Sequence, residues 1–253
     1  SSDIEAADLF LFSGINQDHA NICSTMDNLK ERFPNSCFVI GGPICWSFDQ
    51  AGVLDQLESF DHIFIGDGED SIVNLLESLF SGIKLPSIIR ASSRFDIKSA
   101  KEFYRPMLKD SFHRYYGAVI EVSRGCPFLC EFCDIRIMED NNRPHNKNIK
   151  VIIDQLDYLS GLGIKQILFA CDNFIGDPRW ADSLVDAIIE WQERTKYRPA
   201  LYTWLTINLY KYDNLKREKK RIYKILKINP KTIESEPKNY IWPIRKGGMI
   251  GTL

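Results

Sequence analysis

At 253 residues, with 44% hydrophobic and 26% charged residues, the chain has the composition of a folded globular protein and enough length for one large domain or two modest ones. Its formal net charge of -2 argues against a broad surface for nucleic acid or anionic membranes, and no apolar run is long enough to span a bilayer. Residues 1–5 place no basic region ahead of an apolar stretch, so we expect no secretory signal.

The cysteines indicate a reducing compartment. There are seven, an odd number, and three of them lie within the eight residues from Cys126 to Cys133. This pattern is poor for a secreted disulfide scaffold and is typical of a metal site. We therefore predict a cytoplasmic protein.

The first ninety residues show three short apolar runs, each followed by a helical pattern. The runs cover residues 9–12, 37–40 and 62–65. After the first run, Ile22, Met26 and Leu29 recur at spacings of four and three, which predicts an amphipathic helix. Strands that are apolar throughout and separated by helices imply a parallel sheet covered on both faces. Glycine-bearing loops follow all three runs, so they should meet at the carboxyl edge of the sheet, where open α/β folds bind ligands.

A second α/β series begins near residue 117, after a stretch without long periodic runs. Strands are predicted at residues 118–122, 166–170 and 199–209, and helices at 147–159, 178–191 and 212–226. Three proline-containing pairs interrupt the chain after residue 228, and no barrel strand is recognisable there. The predicted organisation is an incomplete α/β domain at 1–85, a linker at 86–116, a partial barrel at 117–228 and a divergent tail at 229–253.

The segment with the clearest chemistry contains Cys126, Cys130 and Cys133. Spacings of four and three fit a tight loop whose sulfurs converge on one site, and thiolates suit iron–sulfur clusters or zinc. A fourth cysteine at a matching distance would favour structural zinc, but the next, Cys171, lies at the end of another predicted strand. Three protein ligands would leave one iron open to a substrate. Buried or zinc-binding cysteines remain the alternative.

The pattern Cys126-x-x-x-Cys130-x-Phe132-Cys133, introduced by a strand and Ser-Arg-Gly, resembles the signature of the radical S-adenosylmethionine (SAM) superfamily. The resemblance implies a 4Fe–4S cluster on the three cysteines, with the fourth iron chelating the amino and carboxylate groups of SAM. It further implies an electron transfer that cleaves SAM to a 5′-deoxyadenosyl radical, and a place for Phe132 near the adenine.

A second block, from Phe169 to Asp177, is similar to the Phe-x-Asp-Asp-Asn-Phe block of cobalamin-binding radical SAM proteins, closest to hopanoid methylases and similar lipid-modifying enzymes. This resemblance implies that Asp172 and Asn173 face SAM. Their alternative role is an Asx turn and a helix N-cap. The strand near residue 203 also resembles the family, but Trp204 stands where the family has a carboxylate. Together with Cys171, which replaces the first acid of the pair, this departure favours a member without turnover.

The front of the chain resembles a cobalamin-binding domain in its strand at residues 7–15, its glycine loop at 39–43 and its Asp-to-Glu turn at 61–69. Glycine permits positive φ and close backbone approach, both useful beside a nucleotide tail. The residues that the resemblance assigns to cobalamin are Ser13, Gly41, Gly42, Gly66, Gly68 and Glu69. The family's first strand and helix, and its Asp-x-His-x-x-Gly motif for a cobalt ligand, have no counterpart here, so we expect a chain shortened at both ends.

The sequence thus predicts an α/β fold, with an N-terminal Rossmann-like, cobalamin-binding-type parallel sheet followed by a partial radical SAM (β/α) barrel. The resemblance implies a cobalamin-dependent radical SAM enzyme that methylates, or otherwise functionalises C–H bonds of, a lipid or small molecule. A reductant protein such as a flavodoxin or ferredoxin is the implied partner, and no nucleic acid is expected. Three alternatives stay open: a truncated or degenerate member that binds a cluster without turnover, a zinc-stabilised binding module, and RNA methylthiolation.

Overall fold

The computed structural model describes residues 4–131, 133, 135 and 140–205. The chain divides into two compact units, Ser1–Phe95 and Asp96–Leu253. Each unit is built on its own parallel sheet, as the alternation of apolar runs and helical patterns predicts. Among the helices of the described residues, none combines the length and the hydropathy that a membrane crossing requires.

The first unit contains a parallel sheet whose strands follow one another in chain order. The strands are β1 (Leu9–Ser13), β2 (Cys37–Gly41), β3 (His62–Ile65) and β4 (Ile88–Arg90). The helices between them are α1 (His19–Arg32), α2 (Pro43–Ala51) and α3 (Ile72–Phe80). The predicted strands and the helix carrying Ile22, Met26 and Leu29 are confirmed, and all three of these side chains are buried.

Alternate residues of this sheet pack on opposite faces. Phe38 and Ile40 belong to the core formed with α1 and α2, whereas Val39 and Phe64 pack with Leu75 of α3. Period-two alternation in a strand sends neighbouring side chains to opposite sides, so an unbroken apolar run is buried on both. The predicted two-sided covering of the sheet is therefore confirmed.

The stretch at residues 86–116, predicted as a linker, contains secondary structure. It includes β4, which pairs with β3, and α4 (Arg105–Ser111), and the change from one unit to the next lies between Phe95 and Asp96. Three residues, Ile88–Arg90, are too few to show a hydrophobic period in the sequence. The strand is defined by its pairing with the edge of β3. Arg90 also forms an ion pair with Asp49 of α2, with 2.6 Å between nitrogen and oxygen.

The second unit contains a parallel sheet and a short antiparallel pair. Its strands are β5 (Ala118–Glu121), β6 (Ser123–Arg124), β7 (His145–Asn146), β8 (Gln166–Ala170) and β9 (Ala200–Thr203). The parallel sheet has the order β5-β8-β9, and β6 pairs antiparallel with β7. The helices α5 (Ile149–Gly161) and α6 (Pro178–Thr195) supply the rest of its core.

The core of this unit forms between one face of the sheet and the two helices. Ile120, Phe169 and Leu201, one from each strand, are buried there with Trp191 of α6. Asp177 caps α6 by accepting hydrogen bonds from two backbone N–H groups of the first turn, and Pro178 occupies the favoured first position. The predicted helix at 212–226 and the tail at 229–253 lie outside the described residues, so closure into a barrel stays a prediction.

Candidate cofactor sites at the two sheet edges

The cysteine loop starts at the carboxyl edge of the second sheet. Beyond β5 the backbone N–H of Val122 donates to the carbonyl of Ala170 at 2.9 Å, which prolongs the pairing of β5 with β8. The two loops that leave these strands therefore begin side by side. The carboxyl edge of a parallel sheet is where α/β proteins place their sites.

Gly125 ties the start of the cysteine loop to the loop after β8. Its backbone N–H donates to the carboxylate Oδ2 of Asp172 at 2.6 Å. Its φ of +87° is a left-handed conformation that favours glycine, and a Cβ at this position would overlap the carbonyl oxygen of Arg143. The residue before the first cysteine thus has to be a glycine.

Cys126 is held through both its backbone and its sulfur. Its N–H donates to the carbonyl of Asn141 at 2.8 Å, and the side-chain Nδ2 of Asn173 lies 3.8 Å from its Sγ, within hydrogen-bond range for sulfur. Burial raises the pKa of the Cys126 thiol above its ordinary value, and hydrogen bonds from the Phe128 backbone and from Asn173 oppose that rise. The same hydrogen bonds would stabilise a thiolate ligand.

The other two cysteines lie in the same loop. Cys130 is exposed and interacts electrostatically with Cys126, and the N–H of Cys133 donates to the Cys130 carbonyl at 3.1 Å. All the cysteines of the chain are free thiols. In the part of the chain that the structure describes, no three or more His, Cys, Asp or Glu side chains are arranged to hold a metal ion. The ligand set therefore stays a prediction, supported by free thiols of suitable chemistry in one loop.

The predicted SAM-facing residues contact the cysteine loop. Asn173 is buried, its Oδ1 accepts from the N–H of Ile175 at 3.3 Å, and its Nδ2 points to the Cys126 sulfur. The proposed Asx turn is therefore present at Asn173, while the helix N-cap is Asp177. Contact of Asp172 and Asn173 with SAM stays a prediction, and Phe132 lies outside the described residues.

Cys171 has different surroundings from the loop cysteines. Its Sγ lies 3.2 Å from the hydroxyl of Thr203, a buried residue of β9, and its side chain also interacts with Ser123. Burial raises the pKa of this thiol, with the two hydroxyls acting in the opposite direction. Cys171 therefore packs between strands, as its position at the end of a predicted strand indicates.

Sequence reasoning missed the residues that close the cysteine segment. Asn141 and Arg143 contact its start, and Asn146 donates to Asp177 Oδ2 at 2.9 Å. Lys147 is 5% exposed, and this burial lowers the pKa of its ammonium, with Glu121 acting against that change. The one sequence signal was the density of asparagine between residues 141 and 148, which is typical of turns.

Four of the predicted cobalamin residues lie at the carboxyl edge of the first sheet. Ser13 and Gly41 are the last residues of β1 and β2, and Gly42 and Gly66 directly follow β2 and β3. Gly42 has φ +83°, and a Cβ there would overlap the Ser13 hydroxyl. Gly66 has φ +123°, and a Cβ there would crowd Ala91. Close packing within the unit is thus a sufficient reason for both glycines, beside any approach of a ligand.

The remaining predicted cobalamin residues lie one turn further along the chain. No atom lies within 4 Å of the position that a Cβ would take on Gly68. The Gly68 carbonyl accepts from the N–H groups of Ser71 and Ile72 at the start of α3, and Glu69 is exposed. The ring nitrogens of His19 and His62 lie 3.3 Å and 2.7 Å from backbone carbonyls of Gln56 and Pro86. Both histidines thus have structural partners, in line with their lack of a cobalt-ligand motif.

Comparison with known proteins finds relatives that are named as methyltransferases. No family model matches the chain. The chain is 30% identical to an uncharacterised methyltransferase of Synechocystis sp. over 73% of this chain and 33% of that protein. It is also 30% identical to the hopanoid C-2 methylase of Rhodopseudomonas palustris, over 68% of this chain and 32% of that protein. These relatives support the predicted relationship to the cobalamin-binding branch of the radical SAM superfamily.

The fold is similar to that of a solved enzyme. TsrM of Kitasatospora setae, a radical SAM methyltransferase, is similar with a TM-score of 0.59 and 13% identity, over 79% of this chain and 44% of that one. TsrM has been solved with cobalamin and a 4Fe–4S cluster, and with tryptophan and a SAM analogue. The chain spans about a third of the length of these curated relatives. The predicted α/β fold class is confirmed, and the relatives support the predicted family.

Proposed function

We propose that this chain is part of a cobalamin-dependent radical SAM enzyme that methylates, or otherwise functionalises a C–H bond of, a lipid or small molecule. The observation that carries the proposal is the attachment of the cysteine loop to the carboxyl edge of a parallel sheet through Gly125 and Asp172. It stands beside the sequence relationship to proteins named as methyltransferases and as a hopanoid methylase. The net charge of -2 gives no support to a nucleic-acid substrate.

Cys126, Cys130 and Cys133 are the residues that would hold the 4Fe–4S cluster, leaving one iron for SAM. When bound, the cluster would supply one-electron reduction of the SAM sulfonium, and a flavodoxin- or ferredoxin-like protein would supply the electron that reduces the cluster again. The residues of the chain itself position the cysteine loop. Gly125 and Asp172 fix the start of the loop, and Asn173 directs its amide to the first sulfur.

The carboxyl edge of the first unit is the proposed place for cobalamin. Strand ends bearing Ser13, Gly41 and Gly66 present backbone and small side chains there, which is the kind of surface that a nucleotide tail approaches closely. Gly68 adds open space around its Cα. The role of Glu69, which is exposed, would be a polar contact at the rim.

Anaerobic reconstitution of the full chain with iron and sulfide tests the cluster. Iron and sulfide content, together with the visible absorbance of the cluster, should rise in the wild-type chain and stay at background when the three loop cysteines are changed to alanine. Cys23→Ser is the matched control, because Cys23 lies on α1 and is a free thiol outside the loop. A wild-type chain without iron overturns the proposal, and zinc in its place would establish the binding-module alternative.

Incubation of the reconstituted chain with SAM and dithionite tests turnover. The expected product is 5′-deoxyadenosine, measured by liquid chromatography and mass spectrometry. A cluster without this product would establish the alternative of a degenerate member, which Trp204 and Cys171 favour. Titration with hydroxocobalamin tests the first unit, and absence of binding would remove cobalamin from the proposal while leaving the cluster chemistry intact.

A further inference from the structure

Asn173 uses both ends of its side-chain amide. The Oδ1 atom accepts from the N–H of Ile175 at 3.3 Å, and the Nδ2 atom donates towards the Cys126 sulfur at 3.8 Å. The residue is 2% exposed, so water does not compete for either bond. Because the turn bond fixes the oxygen, the N–H group has to point at the sulfur.

The sulfur itself is held in place by the backbone around it. The N–H of Gly125 is bound by Asp172 at 2.6 Å, and the N–H of Cys126 is bound by the Asn141 carbonyl at 2.8 Å. Two successive backbone groups are thus anchored to two different loops. Cys130, by comparison, is exposed. Of these two cysteines, Cys126 is therefore the one whose position is fixed in the absence of a metal.

We propose that Asn173 is a positioning residue for the iron–sulfur cluster, and that its amide N–H, donated to the Cys126 sulfur, raises the reduction potential of the cluster and slows its loss. This inference rests on the proposed function, since it needs Cys126 as a cluster ligand. A hydrogen bond to a ligating sulfur withdraws electron density, and this favours the reduced, more negatively charged cluster. The residue that resemblance places beside SAM thus acts on the electron donor.

Two substitutions isolate the N–H donor from the turn. Asn173→Ser keeps an oxygen that can accept from the Ile175 N–H, but it is too short to reach the sulfur. Asn173→Asp keeps the acceptor at full length and replaces the donor with an oxygen. The matched control is Asn148→Ser, because Asn148 also accepts a bond in its own turn, from the N–H of Lys150 at 2.9 Å, and caps α5.

The test is a redox titration of the reconstituted full chain, followed by electron paramagnetic resonance. At the wild-type midpoint, both Asn173 variants should show a ratio of reduced to oxidised cluster about three- to tenfold lower, which for one electron is a shift of about 30–60 mV. Release of iron to a chelator should be faster in the same two variants. The Asn148→Ser chain should match the wild type in both measurements. Circular dichroism identifies any variant that fails to fold. If Asn173→Ser is that variant, Asn173→Thr, which also keeps a hydroxyl oxygen and adds no charge, takes its place.

The outcomes distinguish failure of this inference from failure of the proposed function on which it rests. A wild-type chain that takes up no cluster overturns both. A wild-type cluster with unchanged potentials in the Asn173 variants overturns the inference alone. A shift in Asn173→Asp without one in Asn173→Ser also overturns it, because the added charge, and not the lost donor, would then be the cause. Equal shifts in the Asn148→Ser control would show a general loss of structure and overturn it as well.

Discussion

The two units place candidate sites at the same position of a parallel sheet, yet the two edges are built by different means. In the first unit, the Ser13 hydroxyl lies so close to Gly42, and the Ala91 methyl so close to Gly66, that neither glycine has room for a side chain. In the second, side chains reach across to backbone and sulfur, as Asp172 does to Gly125 and Asn173 to Cys126. Close contacts exclude side chains at these two glycines, whereas directed hydrogen bonds fix individual atoms. The first suits a large ligand and the second a reactive centre.

Thiol reactivity gives the sharpest contrast between the units. Burial raises the pKa of Cys45 in the first unit to about 12, while Cys130 in the second is exposed. Since only the thiolate reacts, iodoacetamide at pH 8 should label Cys130 at least about 100-fold faster than Cys45 in the metal-free chain. Peptide mass spectrometry over a time course measures both rates. Comparable rates in the native chain would contradict the burial of Cys45.

A methyl group at Gly125 should disrupt the start of the cysteine loop at the carboxyl edge of the second unit's sheet. Gly125→Ala forces a left-handed conformation on alanine and drives its Cβ into the Arg143 carbonyl, so we expect cluster content to fall at least about tenfold. Gly163→Ala is the matched control, because Gly163 has φ +72° and no atom within 4 Å of the position that a Cβ would take. Iron content after reconstitution measures the effect. Equal losses in both variants would mean that backbone conformation alone, and not the contact, matters.

The corresponding change at Gly42 tests the close contact with Ser13 at the carboxyl edge of the first unit's sheet. Gly42→Ala should lower the free energy of unfolding by about 1–2 kcal/mol more than Gly52→Ala, since Gly42 faces Ser13 and its φ of +83° and ψ of -167° lie outside the left-handed helical region that Gly52 adopts. Adding Ser13→Ala should recover part of the difference, because the hydroxyl oxygen is the atom in the way. Hydrogen exchange of the full chain locates the loss. No recovery in the double variant would contradict the proposed overlap.

The smallest expected effect is a change in stability at Lys147, the buried lysine of the second unit. The pKa of Lys147 is lower in the folded chain than in the unfolded one, so the unfolded state binds its proton more readily. Stability should therefore rise as pH increases from the folded pKa towards the ordinary value of 10.5. Lys147→Met should stabilise the chain by about 1 kcal/mol at neutral pH, and this advantage should vanish near the ordinary value.

Denaturant unfolding of both chains across this pH range measures the difference. The comparison between wild type and variant removes the contribution of other groups that titrate there. Two charged neighbours set the balance, since Glu121 favours the charged lysine and Arg124 opposes it. A variant less stable than the wild type at neutral pH would show that attraction to Glu121 outweighs burial.

Local patterns were enough to predict most of the fold. The spacing of Ile22, Met26 and Leu29 located α1, and Pro178 located the start of α6, because both signals are contained in one helix. The short strand β4 escaped prediction, since three residues carry no period. The pair β6 and β7 escaped for the same reason, having two residues in each strand.

The candidate site was predictable in its members and not in its contacts. Cysteine spacing marked Cys126, and resemblance marked Asn173, yet the bond between them joins residues 47 positions apart. No local pattern reports such a contact, because it depends on β5 and β8 lying side by side. The same holds for Gly125 and Arg143, whose proximity needs the chain to return through β7. Tertiary pairing thus decides what each marked residue touches.

The return of the chain through β7 gives the cysteine segment the character of an exchangeable insert. Pairing of Ser123 with Asn146 and of Arg124 with His145 holds the two ends of residues 125–144 next to each other. A segment whose ends are neighbours can gain, lose or replace residues without displacing the scaffold on either side. Evolution, or a protein engineer, could thus transplant this piece as one cassette, provided that the glycine at its entrance and the acidic residue that receives it travel together.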